Sequence, residues 1–202
     1  MSFYTITLRG IRPLIMHNGA AGIDRRSPAN LEKADIARKR GSNRTEADDE
    51  RLRELECQTS IWYDYNGVPT IPAAAIRATI ETAARKLKQG PQVREGMAIT
   101  EIKAFDYDRS TLGTTVEELG KNAQFTVPVV VQRNRLERTR AKFDEWSVAL
   151  LLEADDELVD QQQLESWLDI AGRRIGLGDW RPEKSGDYGR FVVDEIKRVE
   201  SA

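Results

Sequence analysis

Sulfur and imidazole are nearly absent from this chain, whose 202 residues hold one cysteine, Cys57, and one histidine, His17. A single thiol closes no intramolecular disulfide and builds no Cys-based metal site. We therefore expect no metal and no cofactor, in a cytoplasmic setting. Long apolar runs are missing too, and none approaches the ~18 residues of a membrane span. Met1-Ser2-Phe3-Tyr4-Thr5-Ile6 has no basic segment leading into an apolar one, so no secretory leader is expected. Strong charge of one sign is also lacking. The 31 Lys and Arg against 33 Asp and Glu leave a net charge of −2, which argues against a protein that coats nucleic acid through its overall charge. Clustered charge remains as a route to such a partner. No phosphate-binding Walker loop, dinucleotide fingerprint, zinc motif or nucleophile elbow occurs.

What is present fits one domain over 1–202 with room for an insertion. Tyr4 to Met16 reads as a first strand, with Gly10 as a bulge and Pro13 near its end. Residues 18–56 are dense in both charges and poor in apolar anchors, and read as a helical insertion. Leu31–Arg40 is one helix there, and Thr45-Glu46-Ala47-Asp48 caps a second that ends near Glu56. Ser60–Tyr65 is strand-like, and Asn66-Gly67 is a hairpin turn signal. Pro72 then opens a helix whose face is Ile76, Ile80, Ala83, Ala84 and Leu87. A strand over Ala98–Tyr107 and a polar excursion over Asp108–Asn122 follow. A hairpin at 129–146 carries Arg133, Arg135, Arg138, Arg140 and Lys142, and within 133–142 only Glu137 opposes them. The pattern Trp146, Val148, Leu150, Leu152 alternates as its returning strand. Asp160–Arg174 is amphipathic through Leu164, Trp167, Leu168 and Ala171, and Tyr188–Val199 closes the chain as a strand. Without the insertion the order is βαββαβ, an α+β, ferredoxin-like or RRM-like core. Such a fold exposes one face of an antiparallel sheet and often serves RNA binding.

Between the last helix and the last strand, Gly176, Gly178, Gly186 and Gly189 fall within fourteen residues. Arg181, Lys184 and Arg190 are interleaved with them, as are Trp180 and Tyr188. Glycines let backbone approach a ligand, and their N–H groups can cradle phosphate oxygens. The cations add charge, and the two rings offer stacking faces. The plain alternative is a surface turn before a strand.

Two motifs together carry a resemblance. One is Gly67-Val68-Pro69-Thr70-Ile71-Pro72-Ala73-Ala74-Ala75-Ile76-Arg77, and the other is the glycine loop ending Gly186-Asp187-Tyr188-Gly189-Arg190-Phe191. In this order they resemble the repeat-associated (RAMP) superfamily of CRISPR proteins, most nearly the backbone subunits that polymerise along guide RNA. In that family an Ile-Pro-x-Ser-x-x-Lys-x-x-x-Arg segment opens the first helix. Here Ala73-Ala74-Ala75 stands where the family often has Gly-Ser-Ser, and Arg77 where Lys is common, so no phosphate-binding serine carries over. The resemblance implies an RRM-like core, single-stranded RNA along a basic groove, and a thumb-like hairpin that by position is 129–146. It also implies copies of the chain along the RNA and other effector subunits as partners. A mobile-element relative is the other origin.

The resulting expectation is a non-catalytic subunit that holds single-stranded RNA through its phosphates rather than its base edges. The contacts expected are Arg77, Arg133, Arg135, Arg138, Arg140, Lys142, Arg181, Lys184 and Arg190, with Trp180 and Tyr188 for stacking. A second reading is a RAMP-type endoribonuclease. His17 would act there as general acid or base, or Asp24, in the loop after the first strand, would support metal-dependent cleavage. A third is a single-stranded DNA-binding protein of a mobile element that shares only the fold. The run Glu46-Ala47-Asp48-Asp49-Glu50 is a helix start favoured by the dipole, not a ligand set.

Overall fold

A computed structural model describes residues 1–131 and 134–199, and for 130, 131, 134 and 135 the backbone alone. Along the chain the elements begin with strands β1 (Ser2–Gly10) and β2 (Leu14–Ile15) and helices α1 (Gly19–Ile23), α2 (Pro28–Arg38), α3 (Glu46–Ser60), α4 (Ala73–Lys86) and α5 (Gly90–Gly96). Strand β3 (Met97–Tyr107), helices α6 (Arg109–Leu112) and α7 (Val116–Asn122), and strands β4 (Gln124–Val131), β5 (Asn134–Phe143) and β6 (Trp146–Ala154) come next. Helix α8 (Gln161–Ile170) and strand β7 (Phe191–Val199) complete the described chain. No described helix is long and apolar enough to cross a membrane.

These elements form two compact units. The first takes Met1–Ile15, Tyr63–Tyr107 and the chain from Phe143 onward, and the second takes Met16–Trp62 and Asp108–Lys142. The segment expected as an insertion, 18–56, falls in the second unit together with 108–142.

The first unit is built on a four-stranded antiparallel sheet in the order β3-β6-β1-β7. Strand β1 is central. Tyr4, Ile6 and Leu8 pair with Leu152, Leu150 and Val148 of β6, and all six are buried. Period-two alternation therefore sends one whole face to the core. Helix α4 covers that face with Ile76, Ile80, Ala83 and Ala84, and α8 adds Leu164, Trp167 and Leu168. With α4 between β1 and β3, and α8 between β6 and β7, the α+β class and the βαββαβ order both hold. The opposite face carries Thr5, Thr7, Ala149 and Leu151 in register, with Phe3 its one aromatic along β1. That face offers no pair of stacking rings of the kind RRM domains use.

The first strand ends at Gly10 rather than Met16, with Leu14–Ile15 a separate short strand, and three further local expectations give way. Gly10 is not a bulge, since the register shift lies between Thr7 and Leu8. Gly10 is glycine because a Cβ there would overlap the indole of Trp146, whose Nε1 donates to the Arg12 carbonyl at 2.9 Å. Ser60–Tyr65 is not a strand. Helix α3 runs on to Ser60, and beyond it only Tyr63 bridges to Pro69. Burial of Leu55, Cys57 and Ser60 outweighs the β preference of the residues that follow. The polar excursion at 108–122 is two short helices. Asp108 caps α6 and a Thr115/Glu118 capping box starts α7.

Replacing Gly10 by alanine forces the indole off the strand and off its hydrogen bond. We expect a loss of about 1–3 kcal/mol in urea-induced unfolding, with a matching change in tryptophan fluorescence.

Candidate nucleic-acid interface

In the first unit the glycine loop folds onto itself and onto the turn between β1 and β2. The N–H groups of Leu177, Asp179 and Gly189 donate to the carbonyls of Gly189, Ile15 and Pro13 at 2.9, 2.8 and 2.7 Å. Those of Lys184, Ser185, Gly186 and Tyr188 are taken by carbonyls within the loop, and that of Trp180 by the Asp179 carboxylate. Expected as a phosphate cradle, the loop spends most of its donors internally. Its glycines answer to packing. A Cβ at Gly186 would enter the Trp180 carbonyl, and one at Gly189, where φ is +67°, would enter that of Leu177.

Side chains are thus what the loop presents outward. The Arg181 guanidinium binds Glu183 at 2.7 Å and the Gly178 carbonyl at 2.9 Å. Arg190 binds Asp187 at 2.8 Å and the Arg173 carbonyl at 2.6 Å, and Arg12 also reaches Asp187 at 3.1 Å. Lys184 is exposed and makes no ion pair among the described residues. Solvent-facing ion pairs contribute about 0–1 kcal/mol, so a phosphate can take either arginine from its carboxylate. The Trp180 and Tyr188 rings lie with centroids 6.4 Å apart, tilted by 52°. Each is partly exposed, so they form one joint apolar surface.

The first motif places Arg77 on the opening turns of α4. Its Nη2 donates to the Arg94 carbonyl at 2.9 Å, while its Nε is enclosed with no hydrogen-bond partner. Pro72 caps the helix without a side-chain bond. Arg77 and Arg94 face a cavity of about 530 Å³, but Glu95, Glu153 and Asp155 line it too. Its charge is therefore mixed.

Positive charge concentrates in the second unit. Strands β4 and β5 form the hairpin, with Phe125 opposite Arg140 and Val127 opposite Arg138. It starts earlier than expected, at Gln124, and ends at Phe143, while Trp146 belongs to the sheet of the first unit. Along β5, Thr139, Ala141 and Phe143 are buried, and alternation puts Arg138, Arg140 and Lys142 on the other side. The Lys142 ammonium sits 5.4 Å from the Phe125 ring centroid, within cation–π range. Arg133 lies outside the described residues, and Arg135 is described only through its backbone pairing with Val130.

Glu56 of α3 ties this strand down. One carboxylate oxygen accepts from Arg138 at 3.2 Å and the other from the Thr139 amide at 2.8 Å. Beside this link is a cavity of about 950 Å³ lined by Arg25, Lys33, Arg38, Arg138 and Arg140, with Glu56 its one carboxylate. Burial pushes the Lys33 ammonium below the usual lysine range, and Arg140 and Arg138 push the same way while Glu56 opposes them. His17 is exposed and lines the same cavity. Asp24 does not. It accepts from the Arg26 amide at 2.9 Å and borders a separate pocket with Glu32 and Arg51. The two candidate catalytic groups are therefore not brought to one cavity. Among the described residues no group of three or more His, Cys, Asp and Glu is placed to hold a metal ion. Lys33 and Glu56 escape sequence reasoning because their helices look uniformly polar. The converging partner, β5, is some eighty residues away in sequence.

No family model matches the sequence, and no curated protein matches it. A solved structure does. The whole chain matches a chain in the cryo-EM structure of the Type III-B Cmr-beta bound to cognate target RNA, with TM-score 0.54 and 12% identity. The likeness is one of fold. The protein spans 61% of that longer chain. The neighbour is a CRISPR effector complex, the class that the two sequence motifs resemble.

If the glycine loop is held by its own backbone, Gly189→Ala is a folding mutation before it is a binding one. We expect about 3 kcal/mol lost in chemical denaturation, with amide exchange accelerating at Leu177 and Gly189. Full stability with weakened binding would instead support a phosphate cradle.

Proposed function

We propose that this chain is a non-catalytic subunit of a CRISPR-type ribonucleoprotein that holds single-stranded RNA. The observation that carries the reading is the row Arg138, Arg140 and Lys142 on one side of β5, in a chain whose net charge is −2. Composition does not demand such a row, whereas a phosphate backbone does. The likeness to a chain of an RNA-bound effector complex supports it. Copies of the chain along the RNA and neighbouring effector subunits are the partners of this reading, in the cytoplasm.

The mechanism is exchange of anions. RNA phosphates take Arg181 from Glu183 and Arg190 from Asp187, and are drawn to Lys184 and, in the second unit, to Lys142. Each exchange releases counterions and reads no base, so affinity depends on salt and little on sequence. The Trp180–Tyr188 surface adds stacking that tolerates every base.

His17 on the cationic cavity supports one second reading, an endoribonuclease with His17 as general base and the arginines stabilising charge on phosphorus. Cleavage of labelled RNA without divalent metal, abolished by His17→Ala, would establish it. Intact RNA with and without metal would remove it.

Reversing Lys142 and Lys184 to glutamate tests the main reading outside the cavity. We expect weaker binding of unrelated single-stranded RNAs by similar factors, and a salt slope shallower by about 1.4, from ~0.7 per phosphate contact. Unchanged affinity and slope would contradict it, and a marked preference for DNA of the same sequence would favour the mobile-element alternative.

A further inference from the structure

We propose that the cavity of the second unit is a binding site for one phosphorylated nucleotide, its phosphate held by the cations and its base laid against an aliphatic wall. The site deepens the RNA-holding reading by naming the part of the strand that enters, and it rests on that reading only for the nucleotide's source. That source is either a strand end bearing a terminal phosphate or a free nucleotide.

The cations arrive from separate parts of the fold. Arg25 comes from the loop after α1, Lys33 and Arg38 from α2, and Arg138 and Arg140 from β5. A solvated charge run sits on one face of one helix, whereas here three segments converge on one space. Glu56 compensates Arg138, which it binds together with the Thr139 amide, and Arg38 pairs with Asp35 at 2.7 Å, yet the lining still sets five cations against one carboxylate. Arg25 makes no ion pair among the described residues.

Lys33 is the telling side chain. It is half-buried, its ammonium donates to Thr59 Oγ1 at 2.9 Å, and burial and two guanidiniums disfavour its charge while Glu56 alone favours it. An empty cavity gains nothing from such a lysine. A phosphate would relieve the repulsion and turn the same three groups into its ligands. Groups that weaken a fold where they sit are characteristic of binding sites.

Size and wall complete the fit. A space of about 950 Å³ is within the range of small-molecule sites, roughly 300–1,000 Å³. Ile23 and Leu31 line it while 79% and 54% exposed. A base plane over them would cover aliphatic surface that nothing else covers. A phosphate dianion matches the charge excess better than a single carboxylate, which favours a nucleotide over an acidic peptide.

The test uses the full chain freed of nucleic acid and calorimetric titration. The probes are adenosine, adenosine monophosphate, a polyglutamate peptide, and one single-stranded RNA oligonucleotide with 5′-phosphate, 3′-phosphate or neither. We expect a phosphate-dependent gain of at least tenfold, either in the monophosphate over adenosine or in a phosphate-ended over a hydroxyl-ended strand. The first identifies a free nucleotide as the source and the second a strand end. Lys33→Met and Arg140→Gln should each remove most of that gain, and Lys33→Met should keep or raise the thermal midpoint. No phosphate-dependent gain, a gain untouched by both substitutions, polyglutamate bound as tightly, or a lowered midpoint in Lys33→Met would each overturn the site. Oligonucleotides bound equally with either end would then leave the RNA reading standing. A phosphate-dependent gain for the monophosphate with no oligonucleotide bound at all would keep the site and remove that reading.

Discussion

Strand β1 is hydrogen-bonded along both edges, to β6 on one side and β7 on the other, and the first unit is organised around that fact. Any segment leading into β7 must come back beside the end of β1. The chain after α8 meets this demand in a confined space. Gly189 and Asp179 pass the backbone of Pro13 and Ile15, and the loop's donors are consumed in holding that course. The glycine-rich composition therefore follows from the path of the backbone, and the side chains of Arg181, Lys184 and Arg190 and the two rings are at least partly exposed on it.

Charge in the second unit follows a different rule. Alternation on β5 separates buried Thr139, Ala141 and Phe143 from Arg138, Arg140 and Lys142. Glu56 anchors the strand by taking one guanidinium and one amide, and it is the one carboxylate among the residues that line the cavity beside it. A protein of nearly balanced composition acquires a cationic site in this way, by spatial sorting of charge.

Elements with strong periodicity were legible in the residues alone. Leu164, Trp167 and Leu168 on α8, Ile76 and Ile80 on α4, and the alternation of β6 each announce one buried face. The capping box at Thr45 and Asp48 is where its residues place it. Helix α7 carried an equal signal in Thr115-x-x-Glu118, hidden in a stretch whose polarity suggested a loop. Ser60–Tyr65 misled because β-branched and aromatic residues there follow a helix that tertiary burial extends. The site was legible in part. The basic stretch of β5 stood out, but the convergence of Lys33, Glu56 and β5 depends on contacts between residues some eighty positions or more apart, which no local pattern encodes. His17 and Asp24, neighbours in sequence, are separated by the helical turns of α1.

The most direct test of the central claim is to purify the protein from its expressing cells, measure its ratio of nucleic-acid to protein absorbance, and size it before and after ribonuclease treatment. The account predicts co-purifying RNA in a large particle that collapses when the RNA is digested. A nucleic-acid-free monomer, unable to bind added single-stranded RNA at low salt, would contradict it.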